Sequence, residues 1–214
     1  MRVIAIDGPA GSGKSTVARA LAARLGLDYL DTGAMYRSVA FAALQRGIDP
    51  ADVEAVSKMA ADVSIDVGPD GVIVDGTDAT IAIRGLEVSQ AVSVVAANPA
   101  VRTEMVRRQR AWVADRDGGV LEGRDIGTVV FPDAELKVYL TADPEVRAQR
   151  RSKEAADLDY ETVAADLARR DAVDQGREVS PLTEAEDAFL LDTTGLTVEE
   201  IIDVIAGRIG AGDD

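Results

Sequence analysis

Nine residues near the N-terminus have the types and spacing to hold a polyphosphate: Gly8, Pro9, Ala10, Gly11, Ser12, Gly13, Lys14, Ser15 and Thr16. They match the phosphate-loop pattern of Gly, four residues, Gly, Lys, then Ser or Thr. The glycines let successive backbone N–H groups turn onto one concavity, which residues with a Cβ could do only under strain. A helix started by this loop would aim its positive end at the same spot. Lys14 can reach the outer phosphates, and the Ser15 hydroxyl can ligate Mg²⁺. At average composition the pattern arises by chance in a chain this long roughly one time in a hundred. The bland alternative is an ordinary glycine-rich turn. The apolar run Val3-Ile4-Ala5-Ile6, directly before it, supplies the strand that the pattern requires. A nucleoside triphosphate site is the expectation.

Ser15 needs a carboxylate partner to position a cation. Asp31, Glu122 and Asp125 each fall at or just past the C-terminal end of an expected parallel strand, the edge where ligands bind in open α/β sheets. Singly, each reads as well as a helix cap or a surface charge; as a group at one edge they are candidates. Arg37, Arg102 and Arg124 stand alone among apolar or small residues. A solvated surface charge is the ordinary reading of such an arginine. However, Arg37 lies on the helix after strand two, and Arg124 follows strand three between Gly123 and Asp125. Both should project towards the phosphate-loop edge.

Arg170, Asp174 and Arg177 recur at i, i+4 and i+7, so they share one helix face if the helix persists that far. Arg147, Arg150 and Arg151 share a face on the preceding helix. A salt-bridged solvent face is the plain alternative. The polar segment Ser152 to Tyr160 lies between the two. Arginine-bearing helices joined by such a segment would form a lid over the transferring phosphoryl group, at about residues 151–168.

Composition narrows the chemistry. The 214 residues include no Cys and no His, so disulfides, thiolate catalysis and imidazole bases are excluded. Catalysis must run on carboxylates, Lys, Arg, hydroxyls and a bound cation. A net charge of −15 argues against generic nucleic-acid or anionic-membrane binding. An anionic ligand must therefore meet positive charge that is locally concentrated. Arginines outnumber lysines 19 to 4, a skew that suits bidentate phosphate clamps. No apolar run approaches a membrane span, and Asp7 interrupts the N-terminal apolar stretch too early for a signal sequence. A cytoplasmic protein is expected, and with no apolar stripe demanding a dimer, a monomer.

The elements that must position these residues follow from periodicity. Strands are expected at 2–7, 28–31, 120–122, 136–140 and 189–192, alternating with helices. The helix after the loop carries Val17, Leu21 and Leu25 and stops at Gly26; the helix through Arg37 runs to Gln45. From Val63 to Arg84 the pattern shortens. Ser64–Val67, Val72–Val74 and Thr80–Ile83 alternate between turn residues and read as an antiparallel meander. Helices are expected at about 86–97 and 99–116. Asn98-Pro99 reads as a cap with proline at the first helical position, and Thr197-x-x-Glu200 as a capping box. The fold class is α/β: a five-stranded parallel sheet flanked by helices, whose first strand feeds the phosphate loop, with a small antiparallel β insertion and a helical lid. One domain spans 1–214, with a core at about 1–37, 117–150 and 186–214. The insertion is expected at about 38–116, with its meander at 63–84.

Four segments carry a resemblance: Ile6 to Thr16; Leu30-Asp31-Thr32-Gly33-Ala34-Met35-Tyr36-Arg37; Gly123-Arg124-Asp125 through Asp133; and Arg169-Arg170-Asp171 to Pro181-Leu182. Together they resemble the bacterial cytidylate kinases, a branch of the nucleoside monophosphate kinases. The resemblance implies ATP + CMP → ADP + CDP with Mg²⁺, with dCMP as a second acceptor, ATP and CMP as the only partners, and a monophosphate-binding insertion. It implies that Ser93, Arg102 and Asp125 read cytosine, and that Arg37, Arg124 and Arg170 clamp the acceptor phosphate. Asp174 and Arg177 are implied on the ribose side, with Thr32 and Tyr36 lining the acceptor site. Lys14, Arg124, Arg170, Arg147 and Arg150 are then the catalytic cations. Ser15 would hold the metal, with Asp31 or Glu122 acting through water. Thr32 stands where the family also has Ser, and Glu122 where it also has Asp.

Other readings stay open at this level. A kinase for UMP, AMP or shikimate shares the phosphate loop, and so does a nucleotide sensor without catalysis. A GTP-driven switch is disfavoured, because its guanine reader needs Asn-Lys-x-Asp and Asn98, followed by Pro99, is the only asparagine.

Overall fold

The computed structural model describes residues 1–154 and 159–210. Strand β1 (Arg2–Asp7), buried from Val3 onward, is the centre of a five-stranded parallel sheet. Its neighbours are β6 (Gly118–Gly123) and β7 (Leu136–Thr141), with β2 (Tyr29–Asp31) and β8 (Phe189–Asp192) at the edges, in the order β2-β6-β1-β7-β8. Register pairs Asp7 with Gly123 on one side and Tyr139 on the other. The C-terminal ends of three strands therefore meet where the phosphate loop begins.

The chain divides into two compact units, Met1–Tyr29 with Arg116–Asp214, and Leu30–Asp115. In the first, α1 (Lys14–Leu25) and α8 (Val198–Gly210) bury Val17, Leu21, Ile201 and Ile205 with Ile4, Ile6, Val138 and Leu140 of the sheet. The expected capping box forms, with the Thr197 amide donating to the Glu200 carboxylate at 2.8 Å. Helices α6 (Pro144–Glu154) and α7 (Tyr160–Gln175) pack together, and Ala148, Val163 and Leu167 bury Ala10 of the phosphate loop.

The second unit contains α2 (Thr32–Gln45), α3 (Val53–Asp62), α4 (Leu86–Ala97) and α5 (Pro99–Ala114). It also holds an antiparallel sheet of β3 (Ile65–Gly68), β4 (Gly71–Val74) and β5 (Thr77–Asp78). Asn98 caps α5 as expected, its side chain accepting from the Ala100 amide at 3.0 Å.

Three expectations need correction. The third meander strand is Thr77–Asp78; the run Thr80–Ile83 turns into a 3₁₀ helix at Ala82–Arg84. The turn at Asp75-Gly76 is tight enough for pairing to resume at Thr77, and the Asp78 carboxylate then takes the Thr80 amide at 2.9 Å and ends the strand. Second, α6 continues through Ser152 to Glu154, because neither Ser152 nor Lys153 breaks a helix. Of the expected lid, residues 155–158 lie outside the described residues, and 160–168 belong to α7. Third, α7 stops at Gln175, capped by Gly176, so Arg177 lies beyond the helix face that it was expected to share. Helix α3, which the sequence reading passed over, starts on Asp52, whose side chain accepts from the Ala55 amide, and buries Val56, Met59 and Ala60.

Candidate active site

The phosphate loop leaves β1 at Gly8, where φ is +147° and a Cβ would lie 2.0 Å from the Leu140 carbonyl oxygen. Only glycine passes there. The loop ends at Gly13, whose left-handed φ of +91° turns the chain into α1. Helices α2, α3, α5 and α7 each begin on an Asp or Asn side chain that accepts an amide. Helix α1 begins on Gly13 with no side-chain cap, so its first amides are left for an anion.

Lys14 is buried, and its ammonium donates to the Pro9 carbonyl at 2.7 Å. Burial, then the positive charge of Arg124, pushes its pKa down to about 7, while Glu122, Asp7 and Asp171 pull the other way. A phosphate arriving here would restore the full positive charge.

Helices α6 and α7 brace the loop from outside. Arg147 donates to the Ala10 carbonyl at 2.9 Å and pairs with Asp171, whose other oxygen takes the Ala10 amide at 3.0 Å. Arg150 reaches the Thr193 carbonyl at 2.8 Å and its hydroxyl at 2.9 Å. The Thr193 hydroxyl lies 3.0 Å from the Thr141 carbonyl and 3.3 Å from that of Ser12, and can donate to one at a time.

At the end of β6, Glu122 is buried and accepts from the Tyr29 hydroxyl at 2.6 Å. Two residues on, the Arg124 Nε donates to Asp174 at 2.9 Å. Burial opposes the Arg124 charge, yet Asp174, with Asp171 and Glu122, outweighs it and raises the pKa. The Arg177 guanidinium also faces Asp174, at 3.6 Å. Arg170 is pushed down by burial and then by Arg124. Thus Lys14, Arg124, Arg147, Arg150, Arg170, Asp174 and Arg177 all fall in the first unit. Asp125, also there, is buried and opens a five-residue π-helical turn, Ile126–Val130.

The second unit holds the remaining expected residues. Arg37 donates to the Ile83 carbonyl at 3.1 Å and the Ser89 hydroxyl at 3.0 Å. Arg102 donates to the Ala96 carbonyl at 3.1 Å and stands 5.2 Å over the Tyr36 ring. Thr32 and Ser93 are buried. Asp31 caps α2 through the Ala34 amide at 2.8 Å and meets Arg84 at 3.3 Å. Its carboxylate is thus engaged within its own unit.

No group of three or more carboxylates suited to a metal occurs among the described residues. Ser15 offers a hydroxyl and Glu122 a buried carboxylate, both hard oxygen donors. That fits Mg²⁺, which takes few protein ligands and leaves the rest to phosphates and water.

Four residues around the loop were given no site role in the sequence: Asp7, Asp171, Thr193 and Tyr29. Asp7 alone carried a signal, a charge ending an apolar strand just before the loop. It is buried, and accepts from the Ile126 amide at 2.9 Å and the Gly127 amide at 2.7 Å. Burial pushes its pKa up to about 6, against those two bonds.

A central strand feeding an uncapped helix through a glycine loop, in a five-stranded parallel sheet, defines a phosphate-loop kinase fold. A gluconokinase from Sinorhizobium meliloti shares it, with a TM-score of 0.53 at 14% identity over 98% of this chain and 92% of that one. The chain belongs to the cytidylate kinase family, whose profile matches residues 4–210. It is 48% identical to the cytidylate kinase of Pelotomaculum thermopropionicum over 98% of this chain and 96% of that protein. With the cytidylate kinase of Mycolicibacterium paratuberculosis the identity is 52%, over 94% and 92%.

Proposed function

We propose that this chain transfers the γ-phosphoryl group of ATP to CMP, and to dCMP, giving ADP and the pyrimidine diphosphate. The observation that carries this reading is the Arg124-Asp125 step, half-buried at Arg124 and buried at Asp125, in the unit that holds the phosphate loop, in a chain of the cytidylate kinase family. A phosphate oxygen of the acceptor attacks the γ-phosphorus, and the bond from that phosphorus to the β–γ bridging oxygen breaks. The task is positioning and charge neutralisation, for which the lack of His and Cys is no obstacle.

The loop amides and Lys14 hold the donor phosphates, with Arg147 and Arg150 bracing the loop. Arg124, Arg170 and Arg37 take the acceptor phosphate, and Arg124 leaves Asp174 as the stronger anion arrives. Thr32 and Tyr36 line the acceptor, and Asp174 and Arg177 serve its ribose. Mg²⁺, held by Ser15 with Glu122 acting through water, would neutralise charge on the donor phosphates. Asp125, Ser93 and Arg102 read the base. Cytosine offers an amino donor and two acceptors, which a carboxylate, a hydroxyl and a guanidinium complement. UMP sets a keto oxygen where a donor is needed, and each buried polar group left unpaired costs about 1–3 kcal/mol. Discrimination of about tenfold or more follows. Helices α6 and α7 act as a lid, in a cytoplasmic monomer. None of the described helices is long and apolar enough to cross a membrane.

The test is Mg²⁺-dependent ADP release with CMP, dCMP, UMP, AMP and shikimate offered separately. Turnover with CMP far above UMP is expected. Turnover with another acceptor alone would discard the base assignment, and ATP binding without turnover on any acceptor would leave a sensor.

A further inference from the structure

We propose that Asp7 is a positioning residue for the acceptor base: fixed at the end of β1, its carboxylate clamps the two amides that follow Asp125 and so sets the angle from which Asp125 reads. The inference rests on the proposed CMP acceptor and deepens it.

Each Asp7 oxygen takes one amide, Ile126 at 2.9 Å and Gly127 at 2.7 Å, so the carboxylate is used on both sides. Asp7 cannot follow a shift of that segment, because sheet pairing holds it against Gly123 and Tyr139. The segment is closed from its other end as well. The Asp125 carbonyl accepts from Val129 at 2.9 Å and Val130 at 3.2 Å, completing the π-helical turn. A Cβ on Gly127 would stand 3.1 Å from the Lys137 side chain, so the backbone there is already at close approach. Residue 125 is therefore gripped through its own carbonyl and through the next two amides.

A buried carboxylate is an expensive way to hold a loop. Both Asp7 oxygens accept, which suits the ionised form; burial opposes that charge and pushes the pKa up to about 6, while the two amide bonds pull it down. An asparagine would match the shape, but its NH₂ would face one of the two amides and push it away. Single-turn π-helices of this kind are frequent at functional sites. Asp7 also immediately precedes Gly8, so one residue joins the root of the donor loop to the residue that reads the base.

The experiment compares D7N with the wild type in steady-state phosphorylation of CMP and UMP, with ATP affinity measured separately by calorimetry. D7N should lower the CMP/UMP ratio of kcat/KM about tenfold, mostly through the KM for CMP, with ATP affinity changed less than about threefold. An unchanged ratio overturns the inference. So does an equal loss for CMP, UMP and ATP, which would place the effect in the phosphate loop. If the wild type turns over no CMP, the proposed acceptor fails instead. If D7N does not bind ATP at all, amide exchange in the wild type decides. The clamp requires the Ile126 and Gly127 amides to be protected before CMP is added, and fast exchange at both would overturn it.

Discussion

The candidate arginines of the two units are held by different groups. In the first, Arg124 is tied to the Asp174 carboxylate, and Arg147 to Asp171. In the second, Arg37 donates to a carbonyl and a hydroxyl, and Arg102 to a carbonyl while lying over an aromatic ring. A carboxylate orients a guanidinium and cancels its charge; a carbonyl or hydroxyl orients it and leaves the charge in place. Arg124 is thus placed to exchange one anion for another as charge moves, while Arg37 is aimed by the Ile83 carbonyl and the Ser89 hydroxyl. An arginine that trades a carboxylate for a phosphate suits a transition state, in which the phosphate charge is redistributed.

The strongest test removes the cation common to both halves of the reaction. Lys14→Ala should lower kcat by about a thousandfold or more, because Lys14 is the one cation in the loop sequence Gly8–Thr16. Activity within tenfold of wild type would break the assignment of the loop. Next, Arg124→Ala and Arg37→Ala should separate. Arg124→Ala should lower kcat about a hundredfold, with a smaller change in KM for CMP; Arg37→Ala should raise that KM about tenfold and lower kcat less. Equal kcat losses in the two variants would erase the contrast between the units.

Asp125→Asn should reduce CMP/UMP discrimination about tenfold while leaving ATP affinity near wild type. An unaltered ratio would remove Asp125 from the base site. The smallest effect is a proton. Lys14 in the nucleotide-free protein has its pKa lowered to about 7, so above pH 7 it is largely neutral. Bound phosphate restores its charge, so ATP binding at pH 8 should take up close to one proton. Calorimetry in two buffers of different ionisation enthalpy measures it, and zero uptake would mean that Lys14 is already charged in the empty loop.

The linear chain carried most of the frame. The five core strands, the phosphate loop and the Asn98 and Thr197 caps were legible, because each depends on neighbours within a few residues. Arg124 and Asp174 were each singled out, but their pairing across 50 positions was not legible, since no local pattern encodes it. The third meander strand was misread because an alternating apolar run looks alike whether it pairs or turns. The π-helical turn after Asp125 was invisible for a related reason: its five-residue closure is stabilised from outside, by Asp7 on a distant strand.

Sequence alone was enough to specify a phosphate loop between a strand and a helix, since glycine's freedom of φ and the Lys-Ser pair act locally. Tertiary structure alone decided which charges are buried, and that Arg124 and Arg147 already hold carboxylates. It also decided that Asp7 is spent on two amides 119 and 120 positions away. Burial and long-range pairing depend on which strands lie side by side in the sheet, and that order is a property of the whole fold.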